Sequence, residues 1–467
     1  MSKKHLDARR ALFKKLPSVD ELYQTLDVKN ISFPRHIIKN MFRKILADIR
    51  KKIQSGEIDK DIKSFCIDKA QHELNKLTSF NLSNIINGTG IVLHTGLGRS
   101  PLSKELVLES FDRIYPYSNL EFNVKGNARG DRNSSIQDII NPLLGSQSSI
   151  VVNNCAAAVL LSLNTLSENK EVIISRGQQV EIGGSFRIPE VVLKAGCIMK
   201  DVGATNKTHS KDYQNAINSN TGAILYAHTS NYRVVGFTQE IGVEDISKVA
   251  RKSKVPFIVD AGSGCLALFE KFNMPIENTI KGYFKKGADI VMFSGDKLLG
   301  GPQSGIIAGK KKYIDMIKKN PLYRALRVDK LTFSLLESTL RTYISDSEFH
   351  KNNLSLNLLI RDRVELVKMG EMILDEIPER KIKKYNIKLI DTMVEAGSGA
   401  MPIDSLKSIG ITFNKKHITP NALSKRFREA SPPIVGYIKE NQYIIDLKAI
   451  PLDCSKTISN IICKTLS

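Results

Sequence analysis

Residues 289–305 read DIVMFSGDKLLGGPQSG, and the fold turns on this stretch. An apolar run, 289–293, has the length and composition of a strand buried on both faces. It runs into a small, polar, glycine-rich turn that carries Lys297. A lysine there emerges at a strand end, where its amine can reach a bound carbonyl. Partial desolvation of such an amine lowers its proton affinity and leaves it nucleophilic. The glycines let backbone approach a ligand closely. Taken alone, the turn also fits an ordinary loop lysine.

Working outward, FIVDAGSG at 257–264 ends a second apolar run with Asp260. A strand-end aspartate commonly caps the next turn. A strand-end aspartate followed by a strand-end lysine is the joint pattern that points to pyridoxal phosphate. That cofactor needs an acid to keep its ring nitrogen protonated and an amine to hold its aldehyde. Further upstream, SSIVVNNCAAAVLLSL at 148–163 reads as strand, polar turn and helix start, with Asn154 and Cys155 at the turn. Free N–H groups there suit a phosphate, and simple capping by asparagine explains the turn equally well. Further apolar runs at 172–174 and 223–227, with helical stretches at 156–166 and 244–253, predict a mainly parallel sheet covered on both faces. No P-loop lysine signature or GxGxxG is present, which argues against an NTPase or a nicotinamide enzyme.

The flanks differ from this centre. Residues 1–80 read as helical and hold 18 Lys/Arg against 10 Asp/Glu, a net of +8. Ile38, Phe42, Ile45, Ile49 and Ile53 make one apolar helix face, while Lys39, Arg43 and Arg50 recur on another. Ile58, Ile62, Phe65, Ala70, Leu74 and Leu77 predict a second amphipathic helix. After about residue 330 come a long helix and a smaller mixed region. There 410–414 reads as a strand, Thr419-Pro420 as a helix start, and 434–447 as a hairpin turning near Glu440-Asn441. The whole chain has 69 Lys/Arg against 48 Asp/Glu, a formal charge of +21. A polyanionic partner accounts for such an excess, as does a lysine-rich compositional bias. Six cysteines form no CxxC pair, so neither a disulfide framework nor a metal site is expected. No apolar run approaches the roughly 20 residues that span a bilayer, and the charged start MSKKHLDARRALFKK lacks a secretory apolar region. A cytoplasmic protein with no membrane and no DNA partner is the expectation.

Eight motifs then follow in order: GTGIVLHTGLGRSPLS (88–103), NARGDRN (127–133), VVNNCAAAVLL (151–161), SRGQQVEIGGSFRIP (175–189), HTSNYRVVGF (228–237), DAGSGC (260–265), SGDKLLGGPQSGII (294–307) and RALRVDK (324–330). Together with LPSVDEL (16–22) and PPIVGYI…YIIDLKAI (432–450) they resemble the bacterial selenocysteine synthases, the L-seryl-tRNA(Sec) selenium transferases. The resemblance covers essentially the full chain. It implies a pyridoxal-phosphate fold type I (aminotransferase-like) α/β domain at 81–330. A helical, basic N-terminal domain for tRNA recognition would occupy 1–80, and a connecting helix with a small C-terminal α/β domain 331–467.

The activity so implied converts seryl-tRNA(Sec) to selenocysteyl-tRNA(Sec), with selenophosphate as donor, through a pyridoxal-phosphate aldimine and an aminoacrylyl-tRNA intermediate. By the same resemblance Lys297 carries the cofactor, Asp260 partners its ring nitrogen, and Asn154, Cys155 and Ser294 lie at its phosphate. Arg99, Arg324 and Arg327 grip the donor's phosphate, for which planar guanidinium forks are suited. Asp296 is an acid needed for activity. Lys39, Arg43 and Arg50 are candidates for the tRNA. A homo-oligomer is implied, dimers assembled into a ring, with a decamer as one size.

Four positions depart from the family pattern. Cys155 stands where a third asparagine is usual, Ala204 and Lys207 where threonine and arginine are expected, and Ala261 where leucine follows the aspartate. Rival readings are a pyridoxal-phosphate lyase or aldolase acting on a small sugar-derived amino acid, and a tRNA-binding protein with a dead active site. The basic N-terminal helices speak against the first and the intact Lys297 against the second.

Overall fold

A long apolar stripe on one helix organises the N-terminal residues. The computed structural model describes residues 11–26, 28, 33–58, 61–182, 186–229, 232, 234–272, 274–275, 277–344, 349–401, 405–413 and 418–466. The first ten residues of the basic segment, residue 414 of the expected strand, residues 183–185 of the 175–189 motif and residues 230, 231 and 233 of the 228–237 motif lie outside them. The chain divides into two compact units, Met1–Asn84 and Ile85–Ser467.

In the first unit, α1 (Val19–Thr25), α2 (Arg35–Ser55) and α3 (Ile62–Thr78) pack together. Ser18 caps α1 by accepting from Glu21 N, and Gly56 ends α2 in the left-handed region at φ 81°. The five apolar residues read for α2 are all buried, with Leu46 beside them. On α3 the buried residues are Ile62, Cys66, Ala70 and Leu74, a strict step of four. Phe65, expected inside, is 40% exposed. The smaller thiol takes the inward position because that step places residue 66, and not 65, on the packed face.

The second unit is built on a seven-stranded sheet of β1 (Ser148–Val152), β2 (Glu171–Ser175), β3 (Ile198–Val202), β4 (Thr221–Ala227), β5 (Phe257–Gly262), β6 (Ile290–Ser294) and β7 (Gly305–Gly309). Its order is β1-β7-β6-β5-β4-β2-β3. All strands are parallel except β7, which runs antiparallel to both β1 and β6. Successive side chains go to opposite faces, so each face has its own core. Val151, Ile173, Ile224, Val259, Val291 and Ile306 enter one core, and Ile150, Val172, Leu225, Ile258, Met292 and Ile307 the other. Around the sheet run α4 (Ser134–Leu144), α5 (Cys155–Ser167), α6 (Val243–Lys252), α7 (Lys311–Lys319) and α8 (Lys330–Thr342). Residues of α4, α6 and α8 fill the first core, and residues of α5 and α7 the second.

The sequence reading set the large domain's end at residue 330, yet Phe333, Leu336 and Leu340 of α8 are buried in the large-domain core. An amphipathic helix shows that it has a buried face but not which core receives it. Beyond α8, an antiparallel sheet of order β8-β9-β11-β10 forms from β8 (Lys388–Val394), β9 (Leu406–Thr412), β10 (Tyr437–Lys439) and β11 (Gln442–Asp446). Glu440 and Asn441 make the two-residue turn, both at positive φ (49° and 59°), the geometry a tight hairpin requires. Thr419 caps the helix Pro420–Arg428 through Ala422 N at 3.2 Å, with Pro420 in its first turn.

Gly305 opens β7 directly under the turn that starts α5. A Cβ there would lie 2.1 Å from Asn154 O and 2.9 Å from Cys155 N. Both neighbours are backbone, so they can yield only by moving the turn. Gly305→Ala is expected to lower unfolding stability by about 1–3 kcal/mol, as other overpacked sites do. Denaturant unfolding measures this, and a loss below roughly 0.5 kcal/mol would show that the turn is not tightly held.

Candidate functional site

The ends of β1, β5 and β6 meet at one edge of the sheet, where ligands of open α/β sheets bind. Lys297 sits in the turn after β6 and is buried. The turn is held on both sides: Leu298 N donates to Ser263 O (2.9 Å) beyond β5, and Gly295 N to Ser304 O (2.9 Å) before β7. Gly264, at φ 71°, allows this closeness, since a Cβ there would meet Ser294 O at 2.3 Å. The lysine is thereby fixed at the strand end rather than carried on a free loop.

Asp260 lies near the end of β5, buried, in register with Met292 on one side and Ala227 on the other. Its Oδ1 accepts from Gly262 N at 3.1 Å and from the Cys155 thiol at 3.4 Å. Burial pushes the carboxyl above its ordinary range, opposed by the Cys155 thiol, the charge of Lys297, the Gly262 N–H and His228. Lys297 and Asp260 are thus close enough to act on each other electrostatically. A buried carboxylate beside a lysine amine is the arrangement that a protonated ring nitrogen and an aldehyde would occupy.

At the start of α5 the two expected phosphate contacts behave differently. Asn154 is the helix cap, its Oδ1 accepting from Ala157 N at 2.8 Å. Its Oδ1 is therefore engaged by the helix, while its amide N–H groups remain a separate set of donors. Ala158 N bonds to Asn154 O, which leaves the N–H groups of Cys155 and Ala156 without a protein acceptor among the described residues. Those two N–H groups can receive an anion, aided by the dipole of a 13-residue helix. Cys155 turns its thiol to Asp260, and Ser294, buried at the end of β6, stands in register with Gly305.

Of the arginines, Arg99 pairs with Asp296, Nη1 to Oδ2 at 2.9 Å, across 197 positions of sequence. Asp296 is buried while the Arg99 side chain is 39% exposed, so the pair's outer end faces solvent. Arg99 holds a left-handed backbone at φ 64°, a costly setting for a side chain with a Cβ. Arg327 belongs to a different group, with Nη1 3.8 Å from Glu121 Oε1 and its guanidinium 5.5 Å from the Tyr323 ring centroid. Its Nε is buried without an acceptor. Arg324 is exposed on the short helix Pro321–Ala325. Asn153 N donates to Leu326 O at 3.1 Å, which ties the 324–327 segment to the start of α5. Arg99 and Arg327 lie by different carboxylates, Asp296 and Glu121, so the two share no partner among the described residues.

Several contributors carried no sequence signal of their own. Arg132 holds Glu121 by two bonds (2.8 and 2.5 Å) and keeps its carboxyl below the usual range. Asn133, wholly buried, donates to the Tyr323 hydroxyl at 2.8 Å and so anchors the segment bearing Arg324 and Arg327. Both lie in the 127–133 motif, where their residue types could have drawn attention. His228, whose N–H donates to Asp260 O, has Nε2 3.5 Å from Glu277 Oε1, and Ser263 donates to that oxygen at 2.9 Å. A cavity of about 390 Å³ opens beside them, lined by His228, Tyr226, Gln178, Glu240, Thr208 and Glu277.

In the first unit, Lys39 forms an ion pair with Asp20 at 2.5 Å and Arg43 bonds Asn40 at 2.6 Å, while Arg50 is exposed. The stripe is real as a helix face, but Lys39 is engaged within the unit. Among the described residues no helix is long and apolar enough to cross a membrane.

A strand-end lysine beside a buried strand-end aspartate, on a sheet of this order, defines a pyridoxal-phosphate enzyme fold of type I. A solved D-glucosaminate-6-phosphate ammonia-lyase shares that fold, with TM-score 0.57 and 17% identity over 84% of this chain and 98% of that one. The family is narrower. The L-seryl-tRNA selenium transferase family model matches residues 85–451, and the chain belongs to that family. An L-seryl-tRNA(Sec) selenium transferase of Caldanaerobacter subterraneus is 43% identical over 94% of this chain and 95% of its own length. One from Clostridium botulinum is 38% identical over 95% and 96%.

The cap at α5 separates the two roles offered for Asn154. Asn154→Ala is expected to cost about 1 kcal/mol of stability, whereas Asn154→Asp, which also caps, keeps it. Equal losses in thermal unfolding would mean that the side chain does not cap.

Proposed function

We propose that this protein converts seryl-tRNA(Sec) to selenocysteyl-tRNA(Sec), with pyridoxal phosphate on Lys297 and selenophosphate as selenium donor. The observation that carries the reading is the buried Asp260 carboxylate beside Lys297, with two free helix N–H groups next to them, in a chain of this family. The residues fit the cofactor: Asp260 Oδ2, which has no donor among the described residues, would hold the proton on its ring nitrogen, and the N–H groups of Cys155 and Ala156 its phosphate. When bound, pyridoxal phosphate supplies an electron sink for the bond broken at the substrate's α-carbon. Lys297 Nζ takes the proton from that carbon and returns it after the hydroxyl has been replaced by selenium. Arg99, Arg324 and Arg327 bind the donor's phosphate, and Asp296 serves as the acid beside the lysine. The reaction belongs in the cytoplasm, where aminoacyl-tRNA is used, and the protein acts as a homo-oligomer of dimers arranged in a ring.

The test of activity is direct. Purified protein, seryl-tRNA and selenophosphate should yield selenocysteyl-tRNA. Borohydride should fix the cofactor irreversibly to a peptide containing Lys297, and Lys297→Ala should abolish both the label and turnover. A label on another lysine overturns the cofactor assignment.

The first unit supplies tRNA binding in this reading, supported by its charge of +8. Of the three candidates Lys39 is tied to Asp20, which leaves Arg43 and Arg50 for a phosphate backbone. Arg43→Glu with Arg50→Glu should weaken tRNA binding and reduce the slope of log K against log salt by roughly 0.7–0.9 per lost contact. An unchanged slope in a folded variant places recognition elsewhere.

A further inference from the structure

We propose that Cys155 is a positioning residue for Asp260: its S–H holds one carboxylate oxygen so that the other is presented to the cofactor's ring nitrogen. The proposal rests on the pyridoxal-phosphate reading above. Two observations carry it. The thiol and the Gly262 N–H converge on the same atom, Oδ1, at 3.4 and 3.1 Å, and Oδ2 takes no donor among the described residues. Cys155 is the first residue of α5, so its backbone is fixed by the helix, and it packs against the core cluster that contains Tyr323.

The thiol is built to remain a donor. Burial and the negative charge of Asp260 push it well above the ordinary thiol range. A thiolate at this place would set two negative charges 3.4 Å apart in a buried site, which the surroundings disfavour. The cysteine is therefore neither an activated nucleophile nor a metal ligand here. It does for the carboxylate what a side-chain amide could also do from this position, with a weaker donor and a smaller volume.

The pH consequence has a definite sign. Asp260 must be ionised to hold a protonated ring nitrogen, and a donor to a carboxylate favours its ionised form. Removing the donor raises the carboxyl's proton affinity. Cofactor binding is then lost at a higher pH as the solution is acidified.

The experiment is a titration of the cofactor-stripped full-length protein with pyridoxal phosphate, followed by absorbance between pH 5 and 9. Wild type, Cys155→Ala and Cys155→Ser are compared after thermal unfolding has shown each to be folded. Cys155→Ala should bind roughly five- to tenfold more weakly, in keeping with a single weak bond to a charged group. Its acid limb should move to higher pH. Cys155→Ser, which keeps a donor, should restore both. If Ala and Ser lose affinity alike, or if Ala binds as wild type with an unmoved acid limb, the positioning role is overturned while the cofactor assignment stands. A wild-type protein that takes up no pyridoxal phosphate overturns both.

Discussion

One reversed strand sets the geometry on which everything at the site depends. β7 lies between β1 and β6 and bonds to both along its full length, Gly305 to Gly309. That insertion fixes how far the start of α5 stands from the lysine turn, about two strand spacings of 4.8 Å each. It also sets their relative height, since Gly305 pairs with Ser294 on one side and Val152 on the other. A side chain at Gly305 would strike the backbone of the α5 turn, so the spacing cannot relax outward without loss of the turn. The anion-binding N–H groups and the amine are thus two ends of one rigid rung.

Within that frame the charges are arranged so that few are left uncompensated. Asp260 loses hydration and recovers part of the cost from an N–H, a thiol and a nearby ammonium. Asp296 is buried but paired, and Arg327 lies by the acid that Arg132 already holds. Two of the three arginines assigned to the donor therefore rest near carboxylates. In the role proposed for them, a phosphate arriving at either one would compete with the neighbouring carboxylate, which would favour strongly charged, bidentate oxyanions over single weak ones. Arg324, exposed on its short helix, carries no such competitor among the described residues.

Much of this was legible in the sequence, and the parts that were not have physical causes. Parallel strands buried on both faces leave continuous apolar runs, so β1, β2, β4, β5 and β6 stand out. β3 does not, because it is an edge strand whose Lys200 pairs with Glu171 and whose Asp201 pairs with Arg176. β7 is short and ends in glycines whose reason is a neighbour's backbone, not a strand's own preference. Lys297 and Asp260 were readable because strand ends announce themselves. The role of Asn154 was not, since a cap and a phosphate ligand call for the same residue. The His228–Glu277 contact joins residues with no periodic relation, and only the folded chain brings them together.

The place of β7 has a consequence for how the chain comes to be folded. β1 is an edge strand whose only partner in the sheet is β7, and the two are separated by some 150 residues of sequence. During synthesis, residues 148–152 leave the ribosome long before 305–309 exist. β5, β4, β2 and β3 can assemble in parallel while β1, five buried residues long, still lacks its ladder. That pairing closes a loop of some 150 residues, so the step is entropically costly as well as temporally late. The cradle for the anion is completed only when the lysine strand and its reversed neighbour are already in place. The turn that starts α5 and the lysine turn therefore reach their final spacing only once both β6 and β7 have been made.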